Sequence, residues 1–329
     1  MDKDIIKESG ENIQTVAGDD HEYKVSYTSD CVKGRFAPSP TGRMHIGNIC
    51  AALLSWHSAK SKGGKWLLRI EDLDPQRSRP GYARQIEEDL LRLGLEWDEG
   101  GLSRGCVQSQ RGEYYEAALD TLRRKGLIYP CTCTRADIMA TQAPHQSDGR
   151  VVYSGRCRPE YWGEMRDGRM MSGLDYPIDS GDMQAALRLL VPDKEITFTD
   201  RICGEQRVNP ARECGDFIVR RRDGAWAYQL AVVVDDALMG VTEVVRGEDL
   251  LLSTAQQLYI YDLLGYSAPV FAHFPLIRNE EGQRLSKRDK SCSLEYLFAH
   301  HTPEEIIGRA AYLTGLRNTS EPVRPIELL

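Results

Sequence analysis

The chain lacks the features of membrane-embedded and disulfide-stabilised proteins. Among its 329 residues, no apolar run approaches the roughly 18 residues that a membrane span needs. The first residues, MDKDIIKESGENIQ, are charged where a secretory signal would be apolar. The nine cysteines are odd in number and include no CxxC pair, which argues against a disulfide framework. We therefore expect a cytoplasmic protein whose thiols are reduced or bind metal.

An overall excess of basic charge is also missing. Lysine and arginine total 42 against 49 aspartates and glutamates, and the net charge of −7 does not indicate a nucleic-acid-binding protein. Residues 1–30 hold eight acidic and three basic residues, which places −5 of that charge near the amino terminus. We expect residues 1–33 to form a flexible acidic extension.

From residue 34 onward the sequence predicts an α/β fold. Short strand-like runs alternate with amphipathic helical patterns, which is typical of a mostly parallel, Rossmann-type sheet. A stretch without clear periodicity, rich in Gly, Pro, Cys and Asp, interrupts this alternation. The predicted organisation is a first half of the α/β domain at 34–129, an insertion at 130–183, a second half at 184–288 and a short helical segment at 289–329.

Proline and glycine residues predict where individual helices and turns begin and end. Pro80 and Gly94 delimit one helical pattern, and Gly126 ends another. The runs FIVRRR and AWAYQLAVVVDD flank Asp223-Gly224, a dipeptide that favours a β-hairpin turn. We therefore expect strands on both sides of that turn, and helices in the closing runs SLEYLFAH and TPEEIIGRAAYLTG.

The stretch RFAPSPTGRMHIGN, residues 35–48, places a tight Pro/Gly turn between a predicted strand and a predicted helix. Exposed N–H groups at a helix start bind anions, and Gly47 would let a ligand approach the backbone. His45 could then donate a hydrogen bond to a polyphosphate oxygen. An ordinary strand-to-helix turn, with His45 as a helix cap, explains the same residues equally well.

A second, basic stretch follows a later predicted strand, and its residues are Arg284, Leu285, Ser286, Lys287 and Arg288. Alone, such a stretch is usually a solvated surface loop. Combined with the first motif, a lysine from a loop can neutralise the charge that builds on a triphosphate as pyrophosphate leaves. The two motifs together predict a site for one nucleotide.

Both strings resemble the two signature segments of class I aminoacyl-tRNA synthetases, and RIEDLD, VVDD and RGEDLL resemble the glutamyl branch of that family. The resemblance covers residues 34–312. Only 41 residues follow Arg288, which we expect to leave no room for the anticodon-binding region of a glutamyl-tRNA synthetase. In this respect the chain resembles the glutamyl-queuosine tRNA(Asp) synthetases.

The resemblance implies an activity and several partners. Glutamate would be activated with ATP in the absence of tRNA and then transferred to the queuosine base in the anticodon of tRNA(Asp). It also implies roles in catalysis for His45, Gly47, Asn48 and Lys287, and ATP contacts from His45, Gly47 and residues 284–288. Asn48 stands where the family commonly has His, and Arg284 where it commonly has Lys. Both changes preserve hydrogen-bonding or charge type.

Free glutamate carries two carboxylates and one ammonium group, so its pocket should contain guanidinium groups, a carboxylate and a hydroxyl. Arg35, Arg246, Glu71 and Tyr228 supply these groups, although ordinary ion pairs and a half-buried tyrosine would explain them too. The resemblance implies that the amino acid is contacted by Arg35, Phe36, Ala37, Pro38, Ser39, Glu71, Tyr228 and Arg246. Magnesium would accompany ATP, held mainly by phosphates and water.

Four residues of the predicted insertion are candidates for a metal site. Cys131 and Cys133 are separated by one residue, a weaker signal than paired CxxC units, so free thiols explain them as well. The resemblance implies one structural zinc ion bound by Cys131, Cys133, Tyr153 and Cys157. His145 is a rival fourth ligand, because imidazole is a common zinc donor.

Other functions remain open from the residues alone. A shortened glutamyl- or glutaminyl-tRNA synthetase, a small-molecule nucleotidyltransferase and a non-catalytic tRNA-binding regulator would each share part of these motifs. Residues 201–222 hold six arginines and three acids, which fits either an RNA-binding face or a solvated hairpin edge. No heptad pattern is present, so we expect a monomer. Because no long apolar run is present either, we expect no association with membranes.

Overall fold

The computed structural model describes most of the chain from residue 32 onward. The ranges described in full are 32–102, 105–134, 136–137, 152–159, 185–277 and 292–329, with the backbone alone of four strands at 14–18, 21–25, 165–166 and 169–170. Within these ranges, no helix combines the length and the apolar character needed to cross a membrane. Most of residues 1–33 lie outside them, so the predicted flexibility of that extension stays a prediction.

The secondary structure alternates as the sequence predicts. In chain order, the strands are β1 Gln14–Gly18, β2 His21–Val25, β3 Lys33–Phe36, β4 Lys65–Leu68, β5 Glu99–Gly100, β6 Ile128–Cys131, β7 Met165–Arg166, β8 Arg169–Met170, β9 Ala186–Leu189, β10 Ile196–Asp200, β11 Gly204–Val208, β12 Phe217–Arg220, β13 Glu243–Gly247 and β14 Val270–Phe274. The helices are α1 Ile46–Lys60, α2 Pro80–Arg92, α3 Gly112–Arg124, α4 Pro210–Glu213, α5 Tyr228–Leu238, α6 Leu251–Leu264, α7 Leu294–His300 and α8 Pro303–Leu313.

A five-stranded parallel sheet forms the centre of the fold, in the order β14-β13-β3-β4-β5. The chain first builds outward from β3 to β5 and later returns to add β13 and β14 on the other side of β3. The strand order reverses between β3 and β13, and open α/β sheets bind ligands outside the carboxyl ends of the strands at such a point. The predicted α/β fold with a Rossmann-type parallel sheet is confirmed.

Apolar helices cover both faces of this sheet. Side chains alternate along β4, so Trp66 and Leu68 join a core with α1, α2 and α8, whereas Leu67 joins a second core with α3, α5 and α6. The helix limits that Pro80, Gly94 and Gly126 predict are confirmed within a residue or two, and both closing runs are helical. Coverage on both faces explains why the strands are apolar rather than alternating.

Smaller sheets flank the central one. The strands β12, β9 and β6 form an antiparallel sheet that joins chain segments on either side of residue 183. Three antiparallel hairpins, β1–β2, β7–β8 and β10–β11, complete the sheets of the described residues.

The hairpin predicted around Asp223-Gly224 is wrong in its second half. A tight turn is present, since Arg220 bridges Trp226 and Gly224 has a φ of 81°. The following run is helix α5 rather than a strand. Its residues from Leu230 to Asp236 are all buried, and an apolar run that is buried on every side has no periodicity to distinguish helix from strand.

Two glycines in helices give a matched test of this packing. A Cβ at Gly308 in α8 would lie 2.1 Å from the carbonyl oxygen of Glu321, whereas a Cβ at Gly81 in α2 would meet nothing within 4 Å. Since alanine favours helix, Gly81→Ala should raise the free energy of unfolding by up to about 1 kcal/mol. Gly308→Ala should lower it by about 1–3 kcal/mol, because the carboxyl-terminal segment must move away. Chemical denaturation measures both, and a stabilised G308A variant would contradict the packing.

Candidate active site

His45 is the cap of helix α1. Its Nδ1 accepts a hydrogen bond from the backbone N–H of Gly47 at 3.1 Å, and the side-chain oxygen of Asn48 accepts from the backbone N–H of His45 at 3.0 Å. Because Nδ1 accepts, the proton of the neutral ring is on Nε2. The capping alternative is therefore correct, and it presents Nε2 as a donor at a helix amino terminus, where anions bind.

Gly47 is required by the position of that imidazole. A Cβ at residue 47 would lie 3.0 Å from Cε1 and 3.1 Å from Nδ1 of His45. A side chain at this position would displace the ring by a few tenths of an ångström. The H-x-G spacing thus has a steric cause within the chain, separate from the ligand approach that the sequence suggested.

The chain segment that follows the second motif contacts the first motif. Ser293 forms an antiparallel bridge with His45, and the N–H of Leu294 donates to the carbonyl oxygen of Met44 at 2.9 Å. The second motif itself, residues 284–288 with Lys287, lies outside the described residues. Ser293 and Leu294, which follow that motif in the chain, are nevertheless in direct contact with the start of helix α1.

The carboxyl ends of β3 and β4 carry a buried ionic cluster. Arg69 has no exposed surface, and it donates to Asp236 Oδ1 at 2.5 Å and to Glu71 Oε1 at 3.0 Å. Arg35 joins the cluster, with its Nε 3.5 Å from the same oxygen of Asp236 but without hydrogen-bond geometry. A third carboxylate, that of Asp235, lies 3.9 Å from Arg69 Nε.

The carboxylates of this cluster differ in pKa because their partners differ. Burial raises the pKa of Glu71, and the positive charges of Arg69 and Arg35 only partly offset that effect. Burial acts in the same direction on Asp236, but Arg69, Arg35 and Arg246 outweigh it and hold the pKa of Asp236 below its usual value. Asp236 is thus a fixed anion, whereas Glu71 lacks part of the positive charge that would stabilise its ionised form.

Arg246 lies near the end of β13 and has neutral partners. Its Nε donates to His273 Nε2 at 3.0 Å, and its Nη2 donates to Thr254 Oγ1 at 2.8 Å. Its Nη1 lies 3.5 Å from the hydroxyl of Tyr228, the first residue of α5. In the part of the chain that the structure describes, no carboxylate lies within 4 Å of this guanidinium group. Burial lowers the pKa of Arg246, and the positive charge of Arg35 acts in the same direction, whereas Tyr228 and the more distant Asp236 act in the opposite one.

The structure therefore brings together Arg35, Glu71 and Arg246, with Tyr228 at the edge of the group. The predicted contacts Phe36, Ala37, Pro38 and Ser39 form the end of β3 and the turn after it. The turn is fixed to the neighbouring strand end, since the N–H of Glu71 donates to the carbonyl oxygen of Pro38 at 3.0 Å. Phe36 is 7% exposed and packs on Trp66, whereas Ser39 is exposed.

Sequence reasoning missed Arg69, Asp236, Thr254 and His273. Each of them contacts a predicted site residue. Arg69 contacts Glu71, Asp236 lies beside Arg35, and Thr254 and His273 both accept hydrogen bonds from Arg246. A usable signal was present, because Arg69, Asp236 and His273 are polar residues inside otherwise apolar runs, and a polar residue in such a run needs a buried partner.

The predicted cysteine ligands also converge. The sulfur atoms of Cys131, Cys133 and Cys157 all lie within 4.8 Å of one another, and those of Cys133 and Cys157 are 3.6 Å apart. The hydroxyl oxygen of Tyr153 lies 3.5 Å from Cys131 Sγ and accepts from the N–H of Cys157 at 2.8 Å. This cluster can hold a metal ion. The rival ligand His145 lies outside the described residues.

The spacing of the sulfurs fits a tetrahedral ion. Zinc–sulfur bonds of about 2.3 Å place two sulfurs about 3.8 Å apart in a tetrahedron. Burial raises the pKa of the Cys157 thiol, but hydrogen bonds from the Thr132 backbone and from Cys133 outweigh it and lower that pKa to about 7. A thiol that ionises near neutral pH is a ready metal ligand.

The arginine-rich stretch between residues 201 and 222 is largely paired within the chain. The partners are Glu243 for Arg201, Glu205 for Arg207, Asp193 for Arg212, Glu116 for Arg220, Asp223 for Arg221 and the carbonyl oxygen of Thr132 for Arg222. The stretch therefore presents less unpaired positive charge than its sequence indicates.

Known proteins share this architecture. Residues 31–322 match the family model for the catalytic domain of class I tRNA synthetases (E and Q). The glutamyl-Q tRNA(Asp) synthetase of Symbiobacterium thermophilum is 48% identical over 90% of both chains, and that of Thiobacillus denitrificans is 48% identical over 80% of both.

A solved structure agrees. The crystal structure of a glutamate tRNA ligase from Elizabethkingia meningosepticum, in complex with its amino acid, superimposes with a TM-score of 0.72 at 29% identity. The match covers 91% of this chain but only 64% of that enzyme. The chain therefore belongs to the class I aminoacyl-tRNA synthetases for glutamate and glutamine, and within them to the glutamyl-Q tRNA(Asp) synthetase family.

Proposed function

We propose that this enzyme activates L-glutamate with ATP, without tRNA, and transfers the glutamyl group to the queuosine base in the anticodon of tRNA(Asp). The observation that carries the glutamate half is the buried Arg246 guanidinium, whose hydrogen-bond partners are neutral, together with the buried carboxylate of Glu71, whose pKa burial raises. The acceptor is inferred from the names of relatives that are 48% identical over most of their length.

Each charged group of free glutamate has a counterpart in this pocket. Arg246 binds the side-chain carboxylate through its fork of N–H donors, and Arg35, whose Nε lies 3.5 Å from Asp236, binds the α-carboxylate. Glu71 binds the ammonium group, which supplies the positive charge that its carboxylate lacks. Tyr228 orients the ligand through its hydroxyl, and residues 36–39 line the pocket at the end of β3.

ATP binds along the helix end. Nε2 of His45 donates to a phosphate oxygen, and Gly47 and Asn48 keep the imidazole in position. Lys287, with Arg284, Leu285, Ser286 and Arg288, completes the nucleotide site. This is supported by the anchor at Ser293, because six residues of chain reach at most about 20 Å. Magnesium accompanies the phosphates and offsets their charge.

No nucleophile from the enzyme is needed for activation. An oxygen of the α-carboxylate of glutamate attacks the α-phosphorus of ATP in line, the bond to the bridging oxygen breaks, and pyrophosphate leaves with that electron pair. The enzyme contributes by positioning the reactants and by stabilising the developing charge.

ATP–pyrophosphate exchange tests the proposal directly. Exchange with glutamate in the absence of tRNA supports it, whereas strict tRNA dependence would indicate a shortened glutamyl-tRNA synthetase. No exchange with any amino acid would leave a nucleotidyltransferase or a regulator. Radiolabelled glutamate offered to tRNA(Asp) with and without queuosine then tests the acceptor, and equal labelling of both tRNAs would contradict it.

Arg246→Gln should raise the KM for glutamate by about 100-fold or more, because a desolvated charge-assisted fork is lost. The KM for ATP should change by less than about 3-fold, since the nucleotide does not use this group. Arg207→Gln is the matched control: its exposed guanidinium pairs with Glu205 on the same strand, β11, and lies outside the pocket. Equal KM values for glutamate in the R246Q and R207Q variants would refute the assignment.

Glu71 should give the reaction a characteristic pH dependence. The ammonium of glutamate needs the ionised carboxylate, and burial raises the pKa of Glu71. As pH falls through that raised pKa, kcat/KM for glutamate should decline, since kcat/KM reports on the free enzyme. Glu71→Gln should lower kcat/KM by about 10- to 100-fold and remove this decline. A variant that keeps the wild-type pH profile would contradict the role.

We propose that the metal of the cysteine cluster is a structural zinc ion bound by Cys131, Cys133, Tyr153 and Cys157. Elemental analysis of the purified protein should find one zinc per chain. Cys157→Ser should lose the zinc and lower the Tm, because zinc binding is coupled to folding. Cys106→Ser, which is outside the cluster, should retain it. Full zinc occupancy in the C157S variant would overturn the ligand set.

A further inference from the structure

A buried aspartate–histidine pair lies directly behind Arg246. His273 is the register partner of Arg246 on the adjacent strand β14, and it has no exposed surface. Its Nε2 accepts from Arg246 Nε at 3.0 Å, and its Nδ1 lies 2.6 Å from Asp200 Oδ2. Nothing in the mechanism proposed above uses either residue.

The hydrogen bonds determine which nitrogen of His273 carries the proton. The Nε of arginine can only donate, so Nε2 of His273 must accept and the proton is on Nδ1. Asp200 enforces the same tautomer, because its Oδ2 accepts from Nδ1. Burial lowers the pKa of His273 and outweighs the opposing effect of Asp200, so the ring is neutral.

The backbone holds Asp200 in place. Its Oδ1 accepts three hydrogen bonds, from the N–H groups of Ile202 at 3.0 Å, Cys203 at 2.9 Å and His273 at 3.0 Å. Burial alone would raise the pKa of Asp200, but the bonds from the His273 ring and from these amides lower it. The carboxylate therefore cannot rotate or become protonated without losing several partners.

The imidazole separates two opposite charges. If a carboxylate contacted Arg246 directly, it would offset the charge of the guanidinium. The neutral ring instead orients Nε while Thr254 and Tyr228, which are also neutral, contact the Nη atoms. Among the described residues, Arg246 thus has no carboxylate in direct contact, although the more distant Asp236 also acts on its charge. A buried cation without a contacting anion favours a carboxylate over an amide of the same shape.

We propose that Asp200 and His273 are positioning residues that hold Arg246 oriented and without a contacting carboxylate, and that they thereby set the preference for the side-chain carboxylate of glutamate over the amide of glutamine. This inference rests on the proposed glutamate activation. Asp200 acts through His273, and His273 acts through Arg246; neither touches the substrate.

Asp200→Asn isolates the effect of the tautomer. The amide oxygen is needed by the three backbone N–H donors, so its NH2 group must face Nδ1 of His273. The ring then carries its proton on Nε2, opposite the N–H of Arg246. We expect the KM for glutamate to rise by about 10- to 100-fold and the glutamate-over-glutamine ratio of kcat/KM to fall by about 10-fold or more. The KM for ATP should change by less than about 2-fold.

Asp216→Asn is the matched control. Asp216 is 2% exposed and accepts from Tyr129 and from the N–H of Val191, so its replacement disturbs a comparable buried carboxylate away from Arg246. The D216N variant should have lower stability and an unchanged substrate ratio.

If D200N does not fold, His273→Gln and His273→Leu replace it. The glutamine side chain offers Arg246 an acceptor oxygen, so the KM of H273Q for glutamate should lie between the KM values of the wild type and H273L. Equal values in the two variants would refute the positioning role.

Nitrogen-15 NMR of histidine-labelled protein provides a readout that does not depend on activity. The His273 signal, assigned by its loss in H273Q, should show protonated Nδ1 and bare Nε2 in the wild type. An Nε2-protonated or doubly protonated ring in the wild type would overturn the inference, as would an unchanged substrate ratio in D200N. Absence of glutamate exchange in the wild type would instead refute the proposed function, even where NMR finds the expected tautomer.

Discussion

The ion pair between Arg69 and Asp236 is the constraint on which the pocket depends. It joins the end of β4 to the end of α5 across the centre of the sheet, at 2.5 Å and without exposed surface on the arginine. Removing one partner of such a pair leaves a buried charge unpaired, which typically costs about 3–5 kcal/mol. Glu71 and Arg35 each contact one member of the pair, so both of these proposed substrate-binding groups take their positions from it.

The two halves of the site use buried polarity differently. Around Arg69, opposite charges are in direct contact, and the cluster is close to neutral with little freedom to change. Around Arg246, the positive charge is surrounded by an imidazole and two hydroxyls. A pocket needs both arrangements. Rigid side chains around the pocket require charges that are paired with opposite charges, whereas recognition of an anion requires a positive charge that no anionic group of the protein contacts.

Much of the fold could be predicted from the sequence, because its signals are local. Pro80 and Gly94 mark a helix wherever it packs, and the charged ends of strands identify Glu71 and the neighbourhood of Arg246. Helix α5 could not be recognised, since burial on every side erases the pattern that distinguishes helix from strand. The supporting residues Asp236 and His273 were missed because their roles consist of contacts with distant residues, and chemistry inferred from the ligand points only to the groups that touch it.

The bridge between Ser293 and His45 limits how far Lys287 can lie from the helix cap. A tether of six residues confines Lys287 to a sphere of about 20 Å around the helix cap, which corresponds to a local concentration on the order of 50 mM. Encounter between the lysine and the polyphosphate proposed to bind at the cap would therefore be an intramolecular event. The same bridge holds the backbone of the residue whose imidazole caps α1, so the chain that carries Lys287 and the helix cap share one point of attachment.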